Sequence, residues 1–372
     1  MKKFGLLTAC LLLLAASPAT RADGWSSSEA MTRAAEALLE TLDSEQRKIT
    51  QFSFDAAERG TWSNLPIMMV PPPGLLLKDM NDEQRAATQT LLSASMSSQG
   101  YAKFTGVMRL EALLHDLAIE RKNNTPESEH PPILEALIET RDPGHYAVAV
   151  FGAPGDPRWG WKLAGHHAAA NFTVFEGRIA FTPTFLGSSP RIVETGPYAG
   201  MMAMPKEGDR GIQLMESLSD AQREKALITE ELTGGIASGP GRQNSLQDYE
   251  GLPAGEMTAG QKRMLRALVE EYVRNAEYDA ADAQLQAIEA AGWDALWFAW
   301  RGPVDSAGRF YYRVHGPRLL IEYHRVDPNH DHSIVRDPGN DYGADWLGKH
   351  LEEHHPTQEE IREAVRERIG ER

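Results

Sequence analysis

Cysteine is almost missing from this chain of 372 residues: Cys10 is the only one. That excludes a disulfide framework, and it excludes thiolate nucleophiles, cysteine-ligated zinc and iron–sulfur clusters from the body of the protein. Positive charge is short as well. Lys and Arg number 38 against 53 Asp and Glu, for a net charge of −15. A surface so acidic repels phosphate backbones and anionic lipid, so nucleic acid and anionic membrane are excluded as partners. No apolar run is long enough to span a bilayer, which excludes stable membrane insertion. The chain has no phosphate loop, no dinucleotide fingerprint and no G-x-S-x-G elbow. Any metal must therefore be held by histidine and carboxylate.

The start of the chain is distinctive. Lys2 and Lys3 precede a short apolar stretch ending in Ala15-Ala16, with small residues on to Ala22. This describes a Sec-type signal peptide over residues 1–22, and a periplasmic or secreted protein. Leu7-Thr8-Ala9-Cys10 also reads as a lipoprotein box. Most of the greasy residues follow the cysteine, however, so ordinary cleavage near Ala22 is preferred to anchoring at Cys10. Losing Lys2, Lys3 and Arg21 leaves 35 basic residues against 53 acidic, a net charge of −18. A cysteine-free exported chain must rest on its core, and about 350 residues can bury a large one.

Helical patterning dominates residues 29–140. Residues 29–50 and 79–96 repeat apolar side chains at three- and four-residue spacing, and 257–291 reads as a long helical stretch. One signature occurs four times: Leu42-Asp43-Ser44-Glu45-Gln46, Met80-Asn81-Asp82-Glu83-Gln84, Leu218-Ser219-Asp220-Ala221-Gln222 and Met257-Thr258-Ala259-Gly260-Gln261. Each puts a capping residue three positions before Gln, as a helix-opening capping box does. Four helices begun by the same local physics explain the recurrence, and are preferred to an internal duplication. Residues 145–187 and 295–337 are aromatic and β-branched, and read as strands. Glu176-Gly177 and Gly316-Pro317 mark hairpin turns. The expectation is an α+β fold: a helical first third, a central, mostly antiparallel sheet, and helices before, between and after the strands. Residues 23–356 form one domain in this reading, and 357–372 a charged C-terminal helix. The Gly-, Ser- and Pro-rich segment 233–254 is a long loop, of the kind that borders a site or closes over it.

Seven of the twelve histidines fall between His315 and His355. His330 and His332, two apart in an extended segment, project to one side and can offer two imidazoles to one ion. The strand before them sets Glu322 and His324 on one face with Leu320, and such polar groups in an apolar strand need partners. His166 and His167 follow Gly165, where a bulge could aim both rings together. One of that pair is expected to be a hydrogen-bonded core residue. The two clusters are expected to meet. His350 and His354 match the inverted zinc-peptidase pattern H-x-x-E-H, a short motif that chance supplies often in a Glu-rich tail. Met201, Met202 and Met204 could ligate copper, but a packed lining is the plainer reading. Trp159, Trp161, Tyr311, Tyr312 and Tyr323 could line a pocket or carry radicals, although sheet core is the commoner role.

Several stretches together, among them "WGWKLAGHHAAANFTVFEGRIAFTP", "RFYYRVHGPRLLIEYHRV" and "NHDHSIVRDPGNDYG", resemble the bacterial and fungal family called domain of unknown function 3500. The resemblance covers about residues 30–356. It implies exported proteins of one undivided domain and carries no activity. Matching positions include Trp159, Trp161, Gly165, His166, His167, Asn171, Glu322, His330, His332, Arg336 and Asp337. His324 and the 201–204 stretch depart from the pattern.

The reading that follows is a metal-dependent exported enzyme. His330 and His332 bind the ion, joined by His166 or His167. Glu322 serves as a further ligand or general base, and Arg336 and Asp337 orient a ligand or an anionic group on the substrate. Copper is favoured because aromatics crowd the ligands, with oxidation by oxygen and Tyr311 as an electron donor. Zinc and hydrolysis by a metal-activated water are the alternative. The substrate would be a small molecule or peptide. A metal- or ligand-binding protein without catalysis is the rival from another class.

Overall fold

The four recurring signatures each open a helix. Asp43, Asn81, Ser219 and Thr258 are N-caps that accept from the backbone N–H three residues on, and the Gln there accepts from the cap's own N–H. The glutamines do more than cap. Gln46 and Gln84 exchange amide hydrogen bonds in both directions, at 3.2 and 2.7 Å. Gln222 and Gln261 do the same at 3.0 and 2.9 Å. Local capping physics does not require such pairing, so the recurrence reaches into tertiary structure.

The structure is a computed structural model that describes residues 26–305 and 307–348. The signal peptide expected over residues 1–22, Cys10, the His350–His354 motif and the helix expected over 357–372 lie outside the described residues. The first half runs α1 (Ser27–Thr41), α2 (Ser44–Thr50), β1 (Gln51–Phe52), β2 (Leu75–Leu76), α3 (Asp82–Ser95), α4 (Ser98–Asn124) and α5 (Leu134–Thr140). It ends in strands β3 (Tyr146–Phe151), β4 (Arg158–Gly165), β5 (Ala168–Phe175), β6 (Arg178–Ala180) and β7 (Thr184–Ser188). The second half runs α6 (Glu207–Ser217), α7 (Asp220–Ala226), β8 (Leu227–Thr229), β9 (Leu252–Pro253), α8 (Ala259–Val273) and α9 (Tyr278–Ala291). It ends in β10 (Trp297–Arg301), β11 (Phe310–Gly316), β12 (Leu319–Asp327) and β13 (His330–Arg336). Apart from α5 and the splitting of one strand into β6 and β7, the order is the same twice. The chain is an internal structural repeat, contrary to the preference for four independent caps.

One sheet joins the halves, in the order β1-β3-β4-β5-β7-β13-β12-β11-β10-β8. That order reads alike from both ends. β1 runs parallel to β3 and β8 parallel to β10, while the other pairings are antiparallel, including the central β7–β13 pair. The α+β class is as expected. Two helical stretches are broken, however. Residues 29–50 divide at Leu42-Asp43, and 257–291 divides between α8 and α9. The second break joins the halves on the helical side, where Ser97 N donates to Asn275 O and Glu277 N to Ser95 O. Among the described residues no helix is long and apolar enough to cross a membrane.

Strand side chains alternate between faces, and the two faces differ. Val148, Trp159, Trp161, Tyr312 and Tyr323 face the helices and share one core with Leu38, Leu91, Phe104, Leu214 and Leu268. The opposite face carries Lys162, Asn171, Arg313, Glu322, His324 and Arg336, all buried. Irregular chain covers them. Lys162 Nζ donates to the carbonyls of Glu58, Arg59 and Thr61 at 2.6, 2.9 and 2.6 Å. A small apolar patch of Trp62, Ala164, Ala169, Phe185, Ile236 and Ile334 closes the middle of this face.

The repeat makes a testable demand of two glycines. Gly74 and Gly251 precede β2 and β9, with φ of +117° and +104°, and a Cβ there would lie 2.1 Å from Val148 O and 2.2 Å from Phe298 O. Gly74→Ala and Gly251→Ala should each cost more than about 2 kcal/mol in urea denaturation. Gly196→Ala, where φ is +82° but nothing lies within 4 Å, should cost about 1 kcal/mol. Equal losses at all three would show that backbone angle alone, not close strand approach, is what these glycines serve.

Candidate metal centre

The β4–β5 hairpin closes on the pair Gly165↔Ala168. His166 and His167 are therefore its two turn residues, not part of a bulged strand, and His167 sits at φ +61°. This left-handed turn swings the His167 ring over β7. There Gly187 N donates to His167 O at 2.6 Å, and Gly187 pairs with His332 across the β7–β13 ladder. A Cβ on Gly187 would lie 2.9 Å from Cδ2 of both His167 and His332. The bare glycine is what lets the two rings come together.

His330 and His332 lie two apart on β13, on one face. The two histidine clusters meet. His330 Nε2 is 3.1 Å from His167 Nε2 and 3.0 Å from His332 Nε2. The three rings are tilted or edge-on to one another, with centroids 4.6–5.3 Å apart.

Glu111, which sequence reasoning missed, completes the cluster from α4. Its Oε1 lies 2.7 Å from His167 Nδ1 and its Oε2 lies 3.1 Å from His166 Nδ1. Arg141 Nη1 donates to the same Oε2 at 3.1 Å. Phe104, Val107 and Glu111 recur at helical spacing on the buried side of α4. A carboxylate standing on that apolar stripe was the available signal. Burial of Glu111 by itself raises its pKa. Hydrogen bonds from His166 and His167 outweigh burial and bring it to about 2. Glu111 is thus an anion, so His167 keeps its proton on Nδ1 and turns a bare Nε2 lone pair toward His330 and His332.

Protonation of the rings is resisted. Burial first, and then neighbouring imidazoles, lower His332 to about 2. Burial likewise lowers His167 to about 4, against the lift from Glu111. His330 is lowered too, mainly by burial. The three rings are therefore neutral at neutral pH and each keeps one N–H. With the protons of His330 and His332 on Nδ1, three Nε2 lone pairs face one another. Glu111, His166 and His167 also form a close trio. There each short contact joins a carboxylate oxygen to Nδ1, which is a hydrogen bond and not a second set of converging lone pairs. His166 stacks on His167 at 3.9 Å and serves to hold Glu111.

Of the other expected site residues, Tyr311, Glu322, His324 and Arg336 stand elsewhere on the same face. His324 pairs across the ladder with His332, is buried, and leaves Nε2 without a partner. Glu322 accepts from Ala237 N, Ser238 N, Ser238 Oγ and Tyr311 Oη at 2.7, 2.8, 2.5 and 2.7 Å. Both its oxygens are committed to the covering loop and to Tyr311. Arg336 donates to Ser238 O and to Asp341 at 2.8 and 2.6 Å, and Asp337 accepts from Arg318 and Gly339 N. Arg336 stands four residues beyond His332, roughly 13 Å along the strand. Arg336 and Asp337 brace loops at a distance from the histidines. Trp159, Trp161, Tyr312 and Tyr323 point to the helical face. Of the methionines at 201–204, Met204 packs in that core, accepting from Ser333 Oγ at 3.4 Å.

Fold and cluster define an α+β protein of two repeated halves on one sheet, with a histidine–carboxylate constellation beside its central strand pair. Residues 25–344 match the model of the family described as "Protein of unknown function (DUF3500)". The chain belongs to that family. No curated protein and no solved structure matches it.

The pKa values dictate how the metal-free protein responds to acid. Below pH 6.5 an unfolded chain takes up protons that folded His167 and His332, held at about 4 and about 2, refuse. Stability present at neutral pH is then lost as pH falls from 6.5 toward 4, by up to about 1.4 kcal/mol per pH unit for each ring. Urea denaturation in chelator should show a loss of roughly 2–4 kcal/mol between pH 6.5 and 5. A flat profile would mean that the rings protonate inside the fold.

Proposed function

We propose that the chain is an exported metal-dependent enzyme whose ion is held by Nε2 of His167, His330 and His332. The observation that carries this is the convergence of the three Nε2 atoms, with contacts of 3.0 and 3.1 Å, while Glu111 holds the far side of His167. Metal–nitrogen bonds of about 2 Å set neighbouring ligand atoms roughly 3 Å apart, as here. A cation between the rings would take the place of the N–H···N contacts that the metal-free tautomers allow, and neutral rings leave their lone pairs available to it. Glu111 would orient His167 and raise its basicity, with Arg141 and His166 fixing Glu111 in turn. Tyr311, Glu322, Arg336 and Asp337 would act by holding the loops over the face.

Three imidazoles, with no sulfur or carboxylate in the set, suit zinc or copper. The aromatics that favour copper in the sequence lie mostly across the sheet. We therefore place zinc first, with a metal-bound water as nucleophile toward a small-molecule or peptide substrate. Copper stays as the second reading because the same donors bind copper(II) at least as tightly. The side chain of His330 is 24% exposed, which supports access for water and substrate.

Elemental analysis of protein purified without chelator or affinity histidines should find about one zinc or copper per chain. His330→Ala/His332→Ala should abolish it in a folded protein. Gly187→Ala removes no ligand, yet should weaken metal binding by about tenfold or more, because its methyl would push the His167 and His332 rings away from each other. Metal-free wild type after dialysis against either ion would overturn the proposal.

A further inference from the structure

A second cavity opens on the same face of the sheet, beyond the loop held by Glu322. It encloses about 450 Å³, within the range of small-ligand pockets. His315, Leu320 and Arg336 form its floor, and they occupy one cross-strand row of β11, β12 and β13. The loop 243–249 and the turn at 338–344 form its walls. Nothing in the metal reading uses this space.

The chemistry of the lining is specific. His315 is 3% exposed, lines the cavity, and has an Nδ1 with no hydrogen-bond partner. Burial, and then the charge of Arg313, hold the ring at about 4, against the lift of a hydrogen bond to the Asp248 backbone. The ring is therefore neutral at physiological pH. Nδ1 is a buried nitrogen without a partner, which a ligand hydroxyl can meet as donor or acceptor, whichever tautomer the ring holds. The two charged side chains of the lining, Arg336 and Asp341, neutralise each other at 2.6 Å. The cavity thus selects neither an anion nor a cation. Tyr249 and Tyr342 present aromatic surface, Gln243 and Asn244 present amides that both donate and accept, and the Gln247 amide donates to Asn244 O at 2.7 Å. Tyr249 is set by an edge contact with His315, centroids 4.6 Å apart, and by stacking on Trp297.

An uncharged ligand with ring faces and several hydroxyls answers every one of these features. We propose that this cavity binds a neutral saccharide of one or two ring units, with Tyr249 against a sugar face and His315 Nδ1 hydrogen-bonded to a ligand hydroxyl. A phenol satisfies the tyrosines and the imidazole but leaves the Gln243 and Asn244 amides idle. The site does not depend on the metal centre.

Wild-type protein should be titrated with glucose, N-acetylglucosamine, maltose and cellobiose, followed by calorimetry and saturation-transfer NMR. The expected result is binding of at least one sugar with a Kd of roughly millimolar or below. Tyr249→Ala and Asn244→Ala, both at exposed side chains and so safe for folding, should each weaken it about tenfold. His330→Ala/His332→Ala should leave it unchanged, which separates this site from the metal centre. No binding of any of the four sugars at roughly 20 mM, binding that survives Tyr249→Ala, or binding of phenol with no sugar bound would each overturn the proposal.

Discussion

A sheet with one greasy face and one charged face cannot be dried on both sides without finding a partner for every charge. Burying a large apolar side chain gains about 1.5–3 kcal/mol, and leaving a buried polar group unpaired loses about as much. On the helical side the packing is simple. On the other side Lys162, Arg313, Glu322 and Arg336 must each be met by groups that reach inward. Helices cannot do this well, because their own N–H and C=O groups are already paired. Loops can. The segment that crowns Lys162 with three carbonyls and the segment that feeds two N–H groups to Glu322 are the covering this face requires. The long irregular stretches of the chain are thus a consequence of its buried charges.

The histidine cluster sits where that arrangement meets a helix. α4 reaches the edge of the polar face, and Glu111 is the point of contact. A single carboxylate fixes His166 and His167 together, and through His167 it aims one Nε2 lone pair at His330 and His332. Gly187 contributes by what it lacks. The cluster therefore rests on a helix, a hairpin turn and a central strand pair at once, the kind of support that a metal centre would need.

What could be read from the sequence followed the range of the forces involved. The capping boxes at Asp43, Asn81, Ser219 and Thr258 are contacts three residues long, and they stand in the sequence. The strands, the Glu176-Gly177 turn and the pairing of His330 with His332 on one face follow from period-two alternation. Glu111 was hidden because a lone carboxylate in a helix reads as a surface charge unless the stripe around it is weighed. The partners of Glu322 were hidden because Ser238 lies 84 residues away, and no local pattern reports which loop will cover which strand. The matching sheet orders of the two halves were hidden for a similar reason: strand pairing joins residues far apart in the chain, and the four capping boxes were the one trace of the repeat in the sequence.

That repeat has a further consequence. The turn Pro317-Arg318 of the β11–β12 hairpin stands where His166-His167 stands in the first half, closed by Gly316↔Leu319 as the other is by Gly165↔Ala168. Ala180 pairs with Thr173 as His332 pairs with His324. Arg318 is bound to Asp337, so the counterpart of the cluster is an ion pair. Two identical chains related by a dyad must carry identical sites, since any replacement appears twice. Two halves on one chain are free of that symmetry. One corner can keep a salt bridge and hold the sheet together while its twin gathers imidazoles, and the protein gains a specialised corner without giving up the brace it mirrors.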